Sequence, residues 1–281
     1  MADDQKLGVI RFYDTHPINE EEILAKLAAR GKDEHAAIAE DDLIDFDQDH
    51  YGGAAAVDLL ATKVGISSQH RVLDVCSGMG GPARWIAHRI GCRVTGLDLT
   101  QSRVDGASRL TKRVGLDHLV DFVQGDATAM PFPDSRYDVV MAQEAWVHIG
   151  DKPALINECA RVLKPQGVLA FTDIVARGQI TPEAQVRLAT EMQYALVEPA
   201  ANYVELLKRS QFEVVTCEDL SEEWTAILKG RLEMYRSLRD TTIAKFGEAR
   251  YAEYDHAYSH FVGLFVTKEL GGVRIVSRRS D

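Results

Sequence analysis

Asp74-Val75-Cys76-Ser77-Gly78-Met79-Gly80-Gly81-Pro82 is the stretch on which the fold turns. It continues Arg71-Val72-Leu73-Asp74-Val75, a short run of the buried-strand type. Beyond it, Pro82–Arg89 reads as a helix with proline in its first turn. Strand, glycine loop and helix in direct succession make a device for holding anions and nucleotides. Glycine lets the backbone approach a ligand, and the helix N-terminus offers free N–H groups and the positive end of its dipole. The spacing Gly78-x-Gly80-Gly81 departs from the G-x-G-x-x-G of dinucleotide dehydrogenases. A tight turn of this kind also occurs in many α/β proteins for structural reasons alone.

Downstream, Arg93–Asp98 is a second strand and Gln101–Val114 a second helix. Leu119–Val123 is a third strand and Tyr137–Gln143 a fourth. A helix over Lys152–Leu163 and a fifth strand over Val168–Val175 follow. This alternation predicts a parallel sheet with helices on both faces. Upstream, Ile23, Leu24, Leu27 and Ala28 share one helical face that ends at Gly31. Ala54–Val64 is an amphipathic helix after the Gly52-Gly53 break. Past Val175 the alternation weakens. Helices are expected over Thr181–Leu196 and Ala200–Arg209, a strand over Glu213–Cys217, and helical stretches over Glu222–Phe246 and Ala249–Glu269. Val273–Ser277 is a last short strand. These late helices are expected to form a cap or the face of a homo-oligomer.

The 281 residues suit one large α/β domain or two small ones, and 46% are hydrophobic, enough for a full core. Cys76, Cys92, Cys159 and Cys217 show no ligand spacing, so no metal site is expected. A reducing, cytoplasmic setting fits them best. The polar start has no apolar leader segment, and no run is long enough to insert in a membrane. A net charge of −11 repels phosphate backbones and argues against nucleic acid. Glu40, Asp41, Asp42, Asp45, Asp47 and Asp49 form the densest acidic run. It reads as a solvated face, with a field favouring a cationic amine near the site entrance as the sharper alternative.

Three further features follow the glycine loop in order. Asp98 closes the second strand, where a carboxylate can accept hydrogen bonds from ribose hydroxyls. Gly125-Asp126-Ala127 follows the third strand. Pro131-Phe132-Pro133-Asp134-Ser135-Arg136-Tyr137-Asp138 leads into the fourth. With these the sequence resembles the class I S-adenosylmethionine (SAM)-dependent methyltransferases over roughly residues 54–175. The resemblance implies a Rossmann-like α/β fold: a mostly parallel sheet with an antiparallel last strand, N-terminal helices and a C-terminal helical cap. It implies one domain over 1–281, with a helical lid (1–53), a SAM-binding core (54–175), and acceptor-side helices with the last two strands (176–281). Asp74, Gly78, Gly80 and Gly81 would hold the methionine moiety of SAM. Asp98 would bind the ribose, Leu99 would pack on adenine, Asp126 and Ala127 would meet its edge, and Gln143 would line the methionine end. Cys76 stands where such proteins most often have glycine, and reads as a small buried thiol.

Gln143-Glu144-Ala145-Trp146-Val147-His148-Ile149-Gly150-Asp151-Lys152-Pro153 and Asp49-His50-Tyr51-Gly52-Gly53 are similar to segments of phosphoethanolamine and sarcosine/dimethylglycine N-methyltransferases. The implied acceptor is a small molecule, with an amine nitrogen favoured. Methyl transfer is an in-line displacement at a sulfonium carbon, so positioning carries most of it and no metal is needed. An alkylammonium with a pKa of about 10.4 must lose a proton first, at a cost of roughly 4–5 kcal/mol near pH 7. His148 suits a general base, with capping of the following helix as its structural alternative. Tyr51 would orient the acceptor or close the lid, and Trp146 would offer a cation–π wall or pack the core. Gln193, Tyr194 and Tyr203 are further candidates on the acceptor side. Phosphoethanolamine enzymes also pair the histidine with an upstream tyrosine. Glu34–Gln48 holds no match, and Tyr13 stands in the first segment with nothing in the sequence to fix its position. No Arg/Lys cluster is placed to hold a substrate phosphate. The competing readings are an O- or C-methyltransferase acting on a natural product, sterol or quinone, more distantly a nucleotide-binding dehydrogenase, and a non-catalytic module that uses the cofactor structurally, against which the intact cofactor residues argue.

Overall fold

Apolar strand runs alternate with amphipathic helices from residue 53 onward, and the chain folds as that alternation dictates. The computed structural model describes residues 2–32 and 36–281. Met1 of the polar start, and Glu34, at the head of the segment searched for an upstream tyrosine, lie outside the described residues. Three helices, α1 (Ala2–Asp14), α2 (Glu20–Ala29) and α3 (Glu40–Leu43), precede α4 (Gly53–Val64). Then come β1 (Arg71–Val75), α5 (Gly81–Ile90), β2 (Arg93–Asp98), α6 (Gln101–Arg113), β3 (Val120–Gln124), β4 (Tyr137–Gln143), α7 (Lys152–Val162) and β5 (Leu163–Ala176). The remainder is α8 (Pro182–Glu191), α9 (Ala200–Arg209), β6 (Phe212–Asp219), α10 (Ser221–Ser237), α11 (Arg239–Phe246), α12 (Glu248–Val266) and β7 (Leu270–Arg279).

The strands form one sheet in the order β3-β2-β1-β4-β5-β7-β6. β1 pairs in parallel with both β2 and β4, while β7 runs antiparallel to β5 and β6. Successive side chains of a strand face opposite ways. Val72 therefore packs with Val57, Ile86 and Val139 under α4 and α5, while Leu73 and Val75 pack with Leu155, Phe171 and Tyr203 under α7 and α9. The strand order reverses between β1 and β4. In an open α/β sheet the crevice outside the carboxyl ends of such strands is where ligands bind. A third apolar cluster, including Val147, Trp224, Phe261 and Phe265, seats α10 and α12 over that end of the sheet.

Local signals set the helix starts. The Asn19 side chain accepts from the Glu22 N–H at 3.0 Å and opens α2. Asp151 accepts from the Ala154 N–H at 2.9 Å and opens α7, so the cap there is Asp151, not His148. One expected helix ends early and another divides. α8 stops at Glu191 because Gln193 adopts a left-handed φ of 56°, after which the Ala195 and Leu196 N–H groups donate to the Val147 carbonyl. The stretch expected as a single helix over 222–246 divides at Leu238 into α10 and α11.

The acidic run near residue 40 is not a uniformly solvated face. Glu40 and Asp47 are each 2% exposed and close on the fully buried Arg84. Arg84 donates from Nε to Glu40 at 3.1 Å, from one terminal nitrogen to Asp47 at 2.6 Å, and from the other to the Met79 carbonyl at 2.8 Å. Burial raises both carboxyls and the guanidinium opposes that rise. Removing one partner of a buried charge group leaves the others uncompensated. Arg84→Met is accordingly expected to lower the unfolding free energy by about 3–5 kcal/mol, measured by chemical denaturation. A loss under about 1 kcal/mol, typical of an exposed pair, would refute a structural role for this cluster.

Candidate active site

The carboxyl ends of β1, β2 and β4 open into a cavity of about 820 Å³, roofed by α1, α10 and α12. A smaller one, about 200 Å³, lies near Lys164–Val168 and holds none of the candidate residues.

Of the expected cofactor residues, Asp74, Gly78, Asp98, Leu99, Asp126, Ala127 and Gln143 line the large cavity. Gly78 has a φ of +54°, and nothing lies within 4 Å of where a Cβ would stand, so its backbone faces open space. Gly80 and Gly81 are not on the wall, which corrects their expected role as direct holders of the methionine moiety. A Cβ on Gly80 would stand 2.3 Å from the Phe122 ring, and one on Gly81 would stand 2.5 Å from the Asp47 carbonyl oxygen. Close packing excludes a side chain at both positions, against Phe122 at Gly80 and against Asp47 and Gln48 at Gly81.

Asp98 accepts from the Gly78 N–H on one oxygen and the Thr100 N–H on the other, each at 2.9 Å. Asp74 is buried, and its Oδ2 has no protein partner. Burial, then the Asp98 charge, pushes its carboxyl up to about 7. Ser77 Oγ and Gln143 Oε1 on the same wall also lack partners. Buried polar atoms are normally satisfied, so these three fit a ligand with a cationic, hydrogen-bonding end. The α-amino group and sulfonium of SAM suit them. Burial would raise Asp126, but Lys6 at 2.6 Å and the two Thr128 donors outweigh it and hold the carboxylate below its usual range. Lys6 belongs to α1, so the first helix reaches across to the expected adenine end.

The expected acceptor side is assembled from distant segments. Tyr13 Oη lies 2.9 Å from His148 Nε2, 135 positions away in sequence. His148 Nδ1 lies 3.0 Å from the Gln193 carbonyl, which can only accept. We therefore assign the proton to Nδ1, leaving Nε2 to accept the Tyr13 hydroxyl. Burial lowers His148 to about 4 and, with Asp49, raises the Tyr13 phenol well above its ordinary range. Both groups are neutral at neutral pH. Tyr194 lines the cavity with its ring centroid 5.2 Å from that of His148. Tyr51 also lines it, packed 5.0 Å from Trp224, with the Arg231 guanidinium 4.9 Å over its ring centre.

Two substrate candidates fall elsewhere. Trp146 is fully buried and stacks 4.1 Å from Phe171; it packs the core and is not a cation–π wall. Tyr203 is equally buried and donates to Asp173 at 2.5 Å, so it too leaves the acceptor side. Cys76 reaches the cavity as a half-buried thiol whose pKa is raised, first by desolvation. Glu144, unassigned from sequence, sits at a left-handed φ of 49° directly after β4. It accepts from the Tyr51 N–H at 2.5 Å and the Thr172 hydroxyl at 2.6 Å, and burial raises it to about 7. Its only signal in the sequence is its place after the fourth strand. Arg231 and Arg250, also on the wall, come from α10 and α12, far beyond the motifs. Among the described residues no three His, Cys, Asp or Glu side chains are placed to hold a metal ion, and no helix is long and apolar enough to cross a membrane.

Residues 73–171 match the methyltransferase domain family. This chain carries a methyltransferase domain. It is 32% identical over 190 residues to a glycine/sarcosine/dimethylglycine N-methyltransferase of Actinopolyspora halophila, covering 68% of this chain and 34% of that protein. It is 36% identical over 169 residues to a sterol 24-C-methyltransferase of Gibberella zeae, covering 58% and 44%. The chain thus spans less than half the length of these two curated relatives. A Haemonchus contortus phosphoethanolamine N-methyltransferase solved with SAM superposes with a TM-score of 0.77 at 20% identity, covering 97% of this chain and 60% of that one. The Rossmann-like sheet with antiparallel β7 is the methyltransferase fold, and SAM is the methyl donor of this class. The domain match decides against a dehydrogenase.

The assigned dyad makes a measurable statement. His148 takes up a proton only near pH 4, below the ordinary histidine value of about 6.5. Its contribution to stability is therefore present above about 6.5 and is lost as pH falls toward 4. Carbon-detected NMR of the His148 ring is expected to give a midpoint near 4. A midpoint near 6.5 would exclude the buried neutral imidazole.

Proposed function

We propose that this protein transfers a methyl group from SAM to a small-molecule acceptor, leaving S-adenosylhomocysteine, with Tyr13 and His148 receiving the acceptor's proton. The observation that carries this reading is the Tyr13–His148 contact in a cavity that also exposes Asp74, Asp98 and Asp126. Asp74, Gly78 and Gln143 would hold the methionine end, Asp98 the ribose, Leu99, Asp126 and Ala127 the adenine. SAM supplies the electrophilic methyl carbon. Positioning supplies most of the acceleration, since a well-oriented pair reaches effective molarities of about 10⁵–10⁸ M. As the acceptor attacks, its proton passes to the Tyr13 oxygen while Tyr13 gives its own to His148 Nε2. The resulting imidazolium keeps its Nδ1–H on the Gln193 carbonyl.

An amine nitrogen as acceptor is supported by the segments Asp49–Gly53 and Gln143–Pro153 and by the N-methyltransferase relative. A second reading, methylation of a hydroxyl oxygen, is favoured by His148 itself. A ring that protonates only near 4 is a weak base for an ammonium but ample for an oxonium. Residues 1–53 act as a lid: Gln5 bonds the His148 carbonyl at 2.6 Å, Lys6 reaches Asp126 and Tyr13 completes the dyad. A cytoplasmic setting is supported by the four cysteines, all unpaired.

Incubation with SAM and a panel of amines, phenols and carboxylates, read by mass spectrometry, tests the reading. Methylated product and S-adenosylhomocysteine are expected. Modification of oxygen acceptors alone would replace the amine with a hydroxyl, and failure to bind SAM would end the proposal. His148→Ala and Tyr13→Phe are each expected to lower turnover by about 10²–10⁴-fold. Undiminished turnover in both would remove the dyad.

A further inference from the structure

We infer that the acceptor is a ring-bearing, largely apolar molecule, neutral or anionic and not cationic, that enters along a track of aromatic side chains on the cavity face of α12. The chemistry at the inner end of this track rests on the methyl-transfer reading. The shape and charge of the track do not depend on it.

Tyr254, Tyr258 and Phe261 stand at positions i, i+4 and i+7 of α12 and so share one helical face. Their ring centroids follow each other at 5.5 and 6.1 Å. Phe261 meets Tyr194 at 5.8 Å, and Tyr194 meets His148 at 5.2 Å. All of these line the cavity. The line of rings therefore runs from Tyr254, 44% exposed at the rim, through Phe261, 1% exposed, to the dyad. A core explanation accounts for Phe261 but not for the open end.

The rim is apolar on its other side too. Met234 and Leu238 line the same cavity and remain 58% and 50% exposed. Contiguous exposed apolar side chains at a cavity mouth mark a surface that an apolar ligand covers. A compact polar amine beside the cofactor would leave this track to water.

Charge excludes a cation. The ring face of Tyr51, the natural seat for an alkylammonium, is taken by Arg231, which also donates to the His50 carbonyl at 2.8 Å. The Glu144 carboxyl is engaged by the Tyr51 N–H and the Thr172 hydroxyl. Of the other lining carboxylates near the tyrosines, Asp49 lies 3.9 Å from Arg103 and 3.7 Å from His16, and Glu191 accepts from Arg187 at 2.7 and 3.0 Å. Arg250, also on the wall, adds positive charge at the outer part.

Fluorescence titration with two ring-bearing probes decides the matter: anionic anilinonaphthalene sulfonate and cationic thioflavin T. The anionic probe is expected to saturate one site and to bind at least ten-fold more tightly than the cationic one. Ala257→Trp, which fills the track, and Met234→Glu, which alters only the exposed rim, are each expected to weaken it at least ten-fold. Calorimetry should show SAM affinity within two-fold of the unaltered protein in both. Equal or tighter binding of thioflavin T, or unchanged anilinonaphthalene binding in both variants, would overturn the inference. Failure of the unaltered protein to bind SAM would count against the methyl-transfer reading and leave the probe result standing.

Discussion

A single buried guanidinium sets the geometry on which the site depends. Arg84 leaves the first turn of α5, directly behind the glycine loop, and is surrounded by Glu40, Asp47, Thr111 and the Met79 carbonyl. A buried cation is tolerated only when its charge and donors are met. Residues 40–47 cannot leave it without stranding charge, so the segment is fixed against the loop. Gly81 records the closeness of that seam, because any side chain there would overlap the Asp47 backbone. Asp49, His50 and Tyr51 follow directly and are carried over the carboxyl ends of β1 and β4. The surface that packs the loop from behind thus also positions the residues that close the cavity from the front.

The acceptor end depends on this seam and on α1 together. Tyr13 is useful only where His148 can accept from it, and His148 accepts only because Gln193 fixes its tautomer. Gln193 can offer its carbonyl because the chain breaks helical geometry there, at a left-handed φ of 56°. The same α1 that brings Tyr13 also bonds the His148 carbonyl through Gln5 and reaches Asp126 through Lys6. Displacing this helix would separate the phenol from the imidazole and break the Gln5 and Lys6 contacts together.

The sheet was legible because each strand and helix carries its own periodic signal, and because Asp74, Asp98 and Asp126 follow strand ends at readable positions. The lid, the dyad and the acceptor wall carry no such signal. Tyr13 and His148 meet only through the packing of α1, and nothing local in either segment encodes that contact. Trp146 and Tyr203 stay open in sequence between core and cavity for a related reason: a lone aromatic beside a motif reads alike in either place. The neighbours that decide it, Phe171 and Asp173, lie on β5. For Gly80 and Gly81 the pattern suggests an approaching ligand, and the contacts that exclude a side chain, Phe122 and Asp47, come from segments far away in sequence.

Charge shows most clearly how composition and site diverge. A net charge of −11 and a dense acidic run suggest a field that gathers cations. Yet Glu40 and Asp47 are spent on Arg84, and Asp42 and Asp45 pair with Lys32 and Arg30. What reaches the cavity is sorted by position. Asp74 and Asp98 stand at the carboxyl ends of β1 and β2, where a sulfonium and an ammonium would lie under the proposed reading. Arg231 stands among tyrosines at the other end. Coulomb interactions inside a low-dielectric cavity depend on the few nearest groups, while the remaining charges are screened by solvent within about 8–10 Å. Under the proposed reading, the donor end of the cavity carries Asp74 and Asp98, while the opposite end carries Arg231 and Arg250 beside carboxyls that already have partners. That arrangement depends on position, and no count of charges along the chain contains it.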